Sequence, residues 1–294
     1  MNPGELSRSL LARCRFPDGE RAVVCAVSGG ADSLALLALA VESGRDVTAV
    51  HVDHGLRDDS AADGEVVRAA AERFGAGFSS VPVAVGDGPN LEARARAARY
   101  AALPPGALTG HTEDDQAETV LLALLRGSGP AGLAGIDPTR RPLLALRRAE
   151  TAALCGSLGL DVVSDETNHD PRFRRNRIRH EVLPLLCEVA GRDVVPLLSR
   201  SAAIAGDLAD LAGRLAAGID GHDVSVLRPL PRAVAAEALR ATHRLETGSP
   251  YPPDAAAIGR LLSVIAGDVT ATEVAGGWRV RRSAGVLGWE RIAT

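Results

Sequence analysis

The stretch that most constrains this chain is Ser28-Gly29-Gly30-Ala31-Asp32-Ser33, because it joins a run with strand character to a run with helix character. Residues 23–27 are apolar and rich in β-branched side chains, the composition of a buried parallel strand. Residues 34–41 are rich in leucine and alanine and predict a helix packed on a sheet. The glycine turn between them therefore lies at a helix N-terminus. There glycines let backbone N–H groups approach an anion, serine hydroxyls add donors, and the helix dipole favours negative charge. A phosphate fits such a turn, although a glycine pair also suits an ordinary strand-to-helix connection. The stretch lacks the lysine of a Walker A loop and does not have the GxGxxG spacing.

The alternation continues downstream. Strands are predicted at 47–52, 78–85 and 107–109, and helices at 62–74, 91–103 and 112 to about 125. An amphipathic helix at 5–15 precedes them, and a strand-like piece from Pro142, a helix at 149–158 and a last strand at 161–163 follow. Strands alternating with helices point to an α/β fold with a doubly wound parallel sheet. Ligands of such sheets lie beyond the carboxyl ends of the strands, where Ser28, His51 and Gly110 would gather. After Pro196 the texture changes. Helices at 197–217, 232–243 and 254–266 and a hairpin or meander at 269–290 describe a smaller α+β module. The expected division is a larger domain at 1–190 and a smaller one at 191–294.

Composition narrows the chemistry. No apolar run is long enough to span a bilayer, and no apolar signal core follows Arg8, Arg13 and Arg15, so a cytosolic setting is expected. The cysteines Cys14, Cys25, Cys155 and Cys187 stand far apart with no CxxC pair, which argues against a zinc site, an iron–sulfur site or a disulfide framework. A formal net charge of −4 does not by itself suggest nucleic acid. All 33 basic residues are arginines. No side-chain lysine is therefore present to form a Schiff base or act as an amine nucleophile, and any amine in the reaction comes from a substrate.

Four further stretches carry chemistry, each with a plainer reading beside it. Residues 51–57, HVDHGLR, end the second strand and read either as a polar loop or as part of a ligand pocket. Residues 109–119, TGHTEDDQAET, fit a capping box in which Thr112 is answered by Asp115. Capping explains neither His111 nor Asp115 and Glu118 three apart on one face. Two carboxylates beside a phosphate pocket ask for a metal or a cationic guest. Residues 91–100, LEARARAARY, carry Arg94, Arg96 and Arg99; Arg96 reads as a solvated face, while Arg94 and Arg99 are candidates for phosphate or RNA contacts. Residues 165–186, DETNHDPRFRRNRIRHEVLPLL, place arginines at 172, 174, 175, 177 and 179 ahead of an apolar helix. Their guanidinium forks suit the phosphate oxygens of a nucleotide or an RNA backbone. In the tail, Trp278, Arg279, Arg281 and Arg282 read as an RNA-stacking surface or as a small core around a buried Trp.

SGGADS resembles the SGGxDS pyrophosphate loop of the N-type ATP pyrophosphatases, which implies ATP cleaved between its α and β phosphates. HVDHGLR, GHTEDDQAET followed by RGSG, LEARARAARY and DETN followed by RNRIR are most similar to motifs of the tRNA(Ile)-lysidine synthetases within that superfamily. The likeness spans roughly the first 190 residues and rests in the tail on GGWRVRR and domain order. Asp53 stands where family members often have asparagine, and Thr167 where serine is commoner.

The resemblance implies an ATP site formed by Ala26, Val27, Ser28, Gly29, Gly30, Ala31, Asp32, Ser33, His51, Val52, Gly110 and Arg126, with Mg²⁺ held at Asp32. It implies a reaction centre of Asp32, His111, Asp115, Glu118, Asn168 and Arg179, supported by Arg175, Asn176 and Arg177. The implied partners are tRNA(Ile) with a CAU anticodon and free L-lysine, in a possible homodimer away from membranes. The smaller domain is then expected to serve tRNA binding. A PP-loop tRNA thiolase and a non-catalytic adenine-nucleotide module are the alternatives. The first would need cysteines to handle sulfur, and the second would bind ATP without turnover.

Overall fold

A computed structural model describes residues 2–53, 60–83, 91–163, 170–249 and 251–292, apart from the side chains of residues 60, 61, 91–93, 95, 96 and 99. After α1 (Pro3–Leu11) come β1 (Ala22–Ala26), α2 (Ala31–Glu42), β2 (Asp46–Asp53), α3 (Ser60–Phe74), β3 (Gly77–Pro82), α4 (Leu91–Ala102), β4 (Leu108–Thr109) and α5 (Glu113–Leu125). The strands form one parallel sheet in the order β3-β2-β1-β4. The chain steps outward from β1 to β3 and then returns to the far side of β1 for β4, so strand order reverses between β1 and β4. In an open α/β sheet that reversal leaves a crevice at the carboxyl ends, where ligands bind. Ala26 pairs in register with Val50 on one side and Thr109 on the other. Val27, His51 and Gly110 therefore lie at one edge of the sheet, Val27 and Gly110 just beyond their strands and His51 within the last residues of β2.

The helix after the glycine turn lies at the centre of this layer. Residues 33–40 of α2 are all buried, as expected of a helix that is apolar all round. They pack with Val23, Cys25 and Val27, Val47 and Ala49, and Leu143, Leu146 and Leu154. The chain continues through α6 (Pro130–Leu133) to α7 (Arg148–Leu158), then α8 (Arg174–Arg177), a π-helical turn (Ile178–Val182) and α9 (Leu183–Ala190). The two further strands expected around Pro142 and at 161–163 do not form. Pro142 accepts a single backbone bond from Arg15 N–H (3.1 Å), and Val163 donates one to the Gly29 carbonyl (3.0 Å). Among the described residues neither segment has a neighbouring strand with which to build a ladder.

By contacts the chain divides into two compact units, one of residues 1–119 with 136–199 and the other of 120–135 with 200–294. The second holds most of α10 (Val195–Ala216), then α11 (Val224–Leu227), α12 (Arg232–Thr247) and α13 (Ala255–Ala266). An antiparallel meander of β5 (Ala271–Val274), β6 (Trp278–Ser283) and β7 (Val286–Arg291) completes it. Its core joins Leu227, Leu239, Leu261, Val280 and Leu287, with Trp278 and Trp289 packed against it. Trp289 meets the His243 ring edge-on at 5.8 Å. The tryptophans thus serve the core, while Arg279 and Arg281 point to solvent on the opposite face of β6. Among the described residues, no helix is long and apolar enough to cross a membrane.

Candidate active site at the sheet edge

The turn from β1 into α2 is held open by its own side chains. Ser33 Oγ accepts the Ser28 N–H (3.1 Å), lies 3.3 Å from Ser28 Oγ and donates to the Gly30 carbonyl (2.8 Å). Gly30 is the N-cap of α2 and makes no side-chain cap. The first N–H groups of that helix are left for another acceptor, which is the geometry of an anion site. Gly29 has φ +84°, and a Cβ there would meet Val163 Cγ2 at 2.7 Å. Both the conformation and the close approach require glycine.

Gly110, at the end of β4, lies against the same turn. A Cβ on it would stand 2.5 Å from the Asp32 carbonyl oxygen and 3.1 Å from Ser33 Cα. The next two residues lead into α5, which starts directly beside the glycine loop. His51, buried near the end of β2, places Nδ1 3.1 Å from the Val27 carbonyl. Ala26, Val27, Ser28, Ala31, Ser33, His51 and Gly110 are thus assembled around one turn, with Val52 half-buried next to His51.

Beyond the turn the acidic and basic motifs meet. Asp115 and Glu118 lie on one face of α5, and three guanidiniums converge on them. Glu118, fully buried, receives Arg148 Nη1 (3.1 Å) and Arg179 Nε (2.7 Å) on one oxygen, and Arg175 Nε (2.6 Å) and Arg179 Nη2 (3.2 Å) on the other. Asp115 Oδ1 accepts from Arg148 Nη2 (2.8 Å) and Arg175 Nη2 (2.9 Å). Its Oδ2 accepts the Thr112 N–H (2.8 Å) and hydroxyl (3.0 Å), which is the return half of the expected capping box. Burial would raise the Asp115 carboxyl, but Arg148, Arg175 and the Thr112 amide together hold it below the usual aspartate range.

Asp32, in the first turn of α2, accepts from the Thr151 hydroxyl and from Arg148 Nε (3.4 Å). Burial pushes its carboxyl above the usual range, against the opposing pull of Thr151 and Arg148. Among the described residues, three carboxylates and three guanidiniums thus form a formally neutral cluster. The charge imbalance that the sequence suggested around Asp115 and Glu118 is matched from within the chain. Arg175 lies in α8 and Arg179 four residues on in the turn that continues it, so they share a face and both reach Glu118.

Other singled-out residues fall elsewhere. Thr109 Oγ1 lies 2.7 Å from His111 Nδ1, which turns the ring back toward β4. Asn176 is buried and donates to the Asp170 carbonyl (3.0 Å), a structural bond. Arg177 pairs with Glu181 at the surface (2.9 Å). Arg126 is exposed after α5 and belongs to the second unit. Arg94 is half-buried on α4. Asn168, Thr167, the stretch from His54 to Arg57 and the side chains of Arg96 and Arg99 lie outside the described residues.

Arg148 and Thr151 were not evident as site residues from the sequence. One signal did exist for the arginine. Arg147 and Arg148 open α7, where a cation opposes the helix dipole, and a misplaced charge of that kind calls for an acidic partner. Both arginines have one. Arg147 bonds Asp114 through Nε (3.1 Å) and Nη2 (3.0 Å), and Asp114 also accepts the Arg148 N–H (2.8 Å).

A family model described as a PP-loop domain matches residues 5–186. A tRNA(Ile)-lysidine synthase of Nocardia farcinica (strain IFM 10152) is 42% identical over 287 residues, covering 89% of this chain and 86% of the relative. One from Salinispora tropica is 42% identical over 297 residues, covering 90% and 89%. One from Mycolicibacterium paratuberculosis is 49% identical over 213 residues, covering 68% and 66%. Among solved structures, the U34-tRNA thiolase NcsA from Methanococcus maripaludis, with its 4Fe–4S cluster, superposes with a TM-score of 0.55 at 16% identity. It covers 68% of this chain and 78% of that one, a likeness of fold. The glycine turn, the strand order and the sequence relatives agree, and this chain belongs to the tRNA(Ile)-lysidine synthase family of PP-loop proteins.

Proposed function

We propose that this protein joins L-lysine to C2 of the wobble cytidine in the CAU anticodon of tRNA(Ile), converting ATP to AMP and pyrophosphate. The observation that carries the reading is the uncapped N-terminus of α2, bracketed at the sheet edge by Gly110 and the acid–arginine cluster. The turn receives phosphate through the α2 N–H groups and the Ser28 hydroxyl. The cytidine O2 attacks the α-phosphate and pyrophosphate leaves, giving an adenylated base. The lysine ε-amino group, as the free base, then attacks C2 and expels AMP, losing a proton as the C–N bond forms.

Guanidinium forks suit the charge on a transferring phosphate, and Arg148 already reaches the phosphate turn through Asp32. Lysine enters a cluster that is neutral, so its ammonium takes over a carboxylate oxygen from a guanidinium. Asp115 is the more reachable acid, with 11% of its side chain exposed against 0% for Glu118. Among the described residues no group of three or more His, Cys, Asp or Glu is placed to hold a metal. Mg²⁺ accompanying a nucleotide needs only one or two carboxylates plus phosphate oxygens, and Asp32 beside the turn meets that need. When bound, the ion would offset phosphate charge.

Incubation with ATP, radiolabelled lysine and CAU-anticodon tRNA(Ile) tests the reading. Label in the tRNA with AMP release is the expected result; ATP binding without label in the tRNA would overturn it. A thiolase reading is disfavoured by the cysteines, because burial pushes the Cys14 and Cys25 thiols up to about 12 and Cys155 to about 11, leaving no reactive thiolate among those three.

We read the reaction as cytoplasmic, with the exposed Arg281 of the second unit available to tRNA phosphates. The protein is further read as a homodimer through α10. Ile204, Leu208, Leu211 and Leu215 repeat at 4-3-4 spacing and are 49–58% exposed. Exposed Asp207 and Arg214 flank this stripe, so an antiparallel second copy would set each opposite the other.

A further inference from the structure

One guanidinium bridges the two halves of the site. Arg148 directs Nε to Asp32 (3.4 Å), Nη1 to Glu118 (3.1 Å) and Nη2 to Asp115 (2.8 Å), so each nitrogen of its fork serves a different carboxylate. Asp32 belongs to the phosphate turn, and Asp115 and Glu118 belong to the acid pair on α5. Arg175 and Arg179, among the described residues, reach the acid pair and not Asp32. Arg148 is also fixed at its base. Its N–H is bonded to Asp114 Oδ2 (2.8 Å), and it stands at the first position of α7 against the helix dipole. That placement is favoured only while the carboxylates hold the side chain.

We propose that Arg148 is a positioning residue that couples the phosphate turn to the acid pair, so that nucleotide binding on the turn strengthens binding of a cationic amino acid at Asp115 and Glu118. The identity of that amino acid as lysine rests on the function proposed above. Phosphate oxygens arriving beside Asp32 attract the guanidinium and compete for its N–H groups. Whatever hold Arg148 gives up on Asp115 and Glu118 leaves negative potential for an ammonium group. The two guests do not touch, yet one element has different contacts in each state, which is what coupling between sites requires. Lysine in place of Arg148 would keep the charge and lose the fork, because a single ammonium cannot reach all three carboxylates in these directions.

The test is titration of L-lysine into the full chain with and without saturating α,β-methylene-ATP, which cannot be cleaved between the α and β phosphates. The unaltered chain should bind lysine at least about fivefold more tightly with the nucleotide present, the lower end of ordinary coupling between sites. Arg148→Lys, checked for native circular dichroism, should bring the two dissociation constants within about twofold of each other. Absence of coupling in the unaltered chain, or retention of it in folded Arg148→Lys, overturns the proposal. If Arg148→Lys does not fold, Asp32→Asn removes the charge at the loop end of the bridge, and undiminished coupling there is equally decisive. Lysine transfer to tRNA by an unaltered chain that shows no coupling would refute the bridge and leave the enzyme reading standing. Coupling without transfer would do the reverse.

Discussion

Gly110 sits so close to Asp32 that a Cβ would stand 2.5 Å from the Asp32 carbonyl oxygen and 2.8 Å from its carbonyl carbon. The contact is backbone to backbone, so nothing flexible can yield. Gly110→Ala should destabilise the first unit by about 1–3 kcal/mol, the usual cost of overpacking. It should also impair tRNA-dependent pyrophosphate exchange by displacing the start of α2. Gly30 is the internal comparison. Its nearest neighbour to a built Cβ is Ser28 Oγ at 3.8 Å, so Gly30→Ala meets no clash and should cost only about 0.5–1 kcal/mol, the loss of a glycine N-cap. Urea unfolding midpoints separate the two, and equal destabilisation would contradict the packing argument.

Glu118 is the buried acceptor for all three arginines, and its neutral isostere leaves them short of a charge. Glu118→Gln should lower the unfolding free energy by about 3–5 kcal/mol, the range for breaking a buried ion pair from one side. Arg177→Gln removes only a surface partner of Glu181 and should leave the unfolding midpoint close to that of the unaltered chain. A Glu118→Gln protein as stable as the unaltered chain would show that the cluster does not hold the first unit together.

Acid should weaken the fold through Asp114 and Asp115. Both carboxyls are held below the ordinary value, against the effect of burial: Asp114 by Arg147 and the Arg148 amide, Asp115 by Arg148, Arg175 and the Thr112 amide. A depressed folded-state value means that the stability they contribute is fully present above the unfolded value of about 3.9 and is lost as pH falls below it. Asp32 has the opposite sign. Its raised carboxyl disfavours the fold while ionised, and that penalty fades as pH drops toward 4. Circular dichroism from pH 7 to 2 should therefore show unfolding begin below about pH 4. Asp32→Asn should gain stability at pH 7, and activity of the unaltered chain should fail on the acid side at a pH above that of an ordinary carboxylate.

The α10 stripe gives a test of assembly. Leu208 and Leu211 are 55% and 49% exposed, so charge placed there has little to disturb within one copy. Light scattering should report twice the chain mass for the unaltered protein and a single chain for Leu208→Asp with Leu211→Asp, with helicity unchanged. A monomeric unaltered protein at micromolar concentration would remove the dimer from the proposal.

What the sequence determined by itself is what depends on neighbours along the chain. The apolar run before Ser28, the glycines, the leucine-rich helix after them, and the spacing of His111, Asp115 and Glu118 are local signals. They were sufficient to predict a phosphate turn on a parallel sheet and an acidic helix start. Even the antiparallel tail was legible from alternation around Trp278 and Trp289. The tertiary structure decided the partners. Arg148 lies 116 positions from Asp32 and 33 from Asp115, and no periodicity connects them. An unpaired acidic pair and a cluster of arginines each look like a site for an outside ion when read alone. Folded, they neutralise one another, because Coulomb attraction in a buried setting depends on distance through space, which the order of residues does not encode. The same holds for the reversal of strand order between β1 and β4, which sets the phosphate turn, Gly110 and the acid–arginine cluster at one edge.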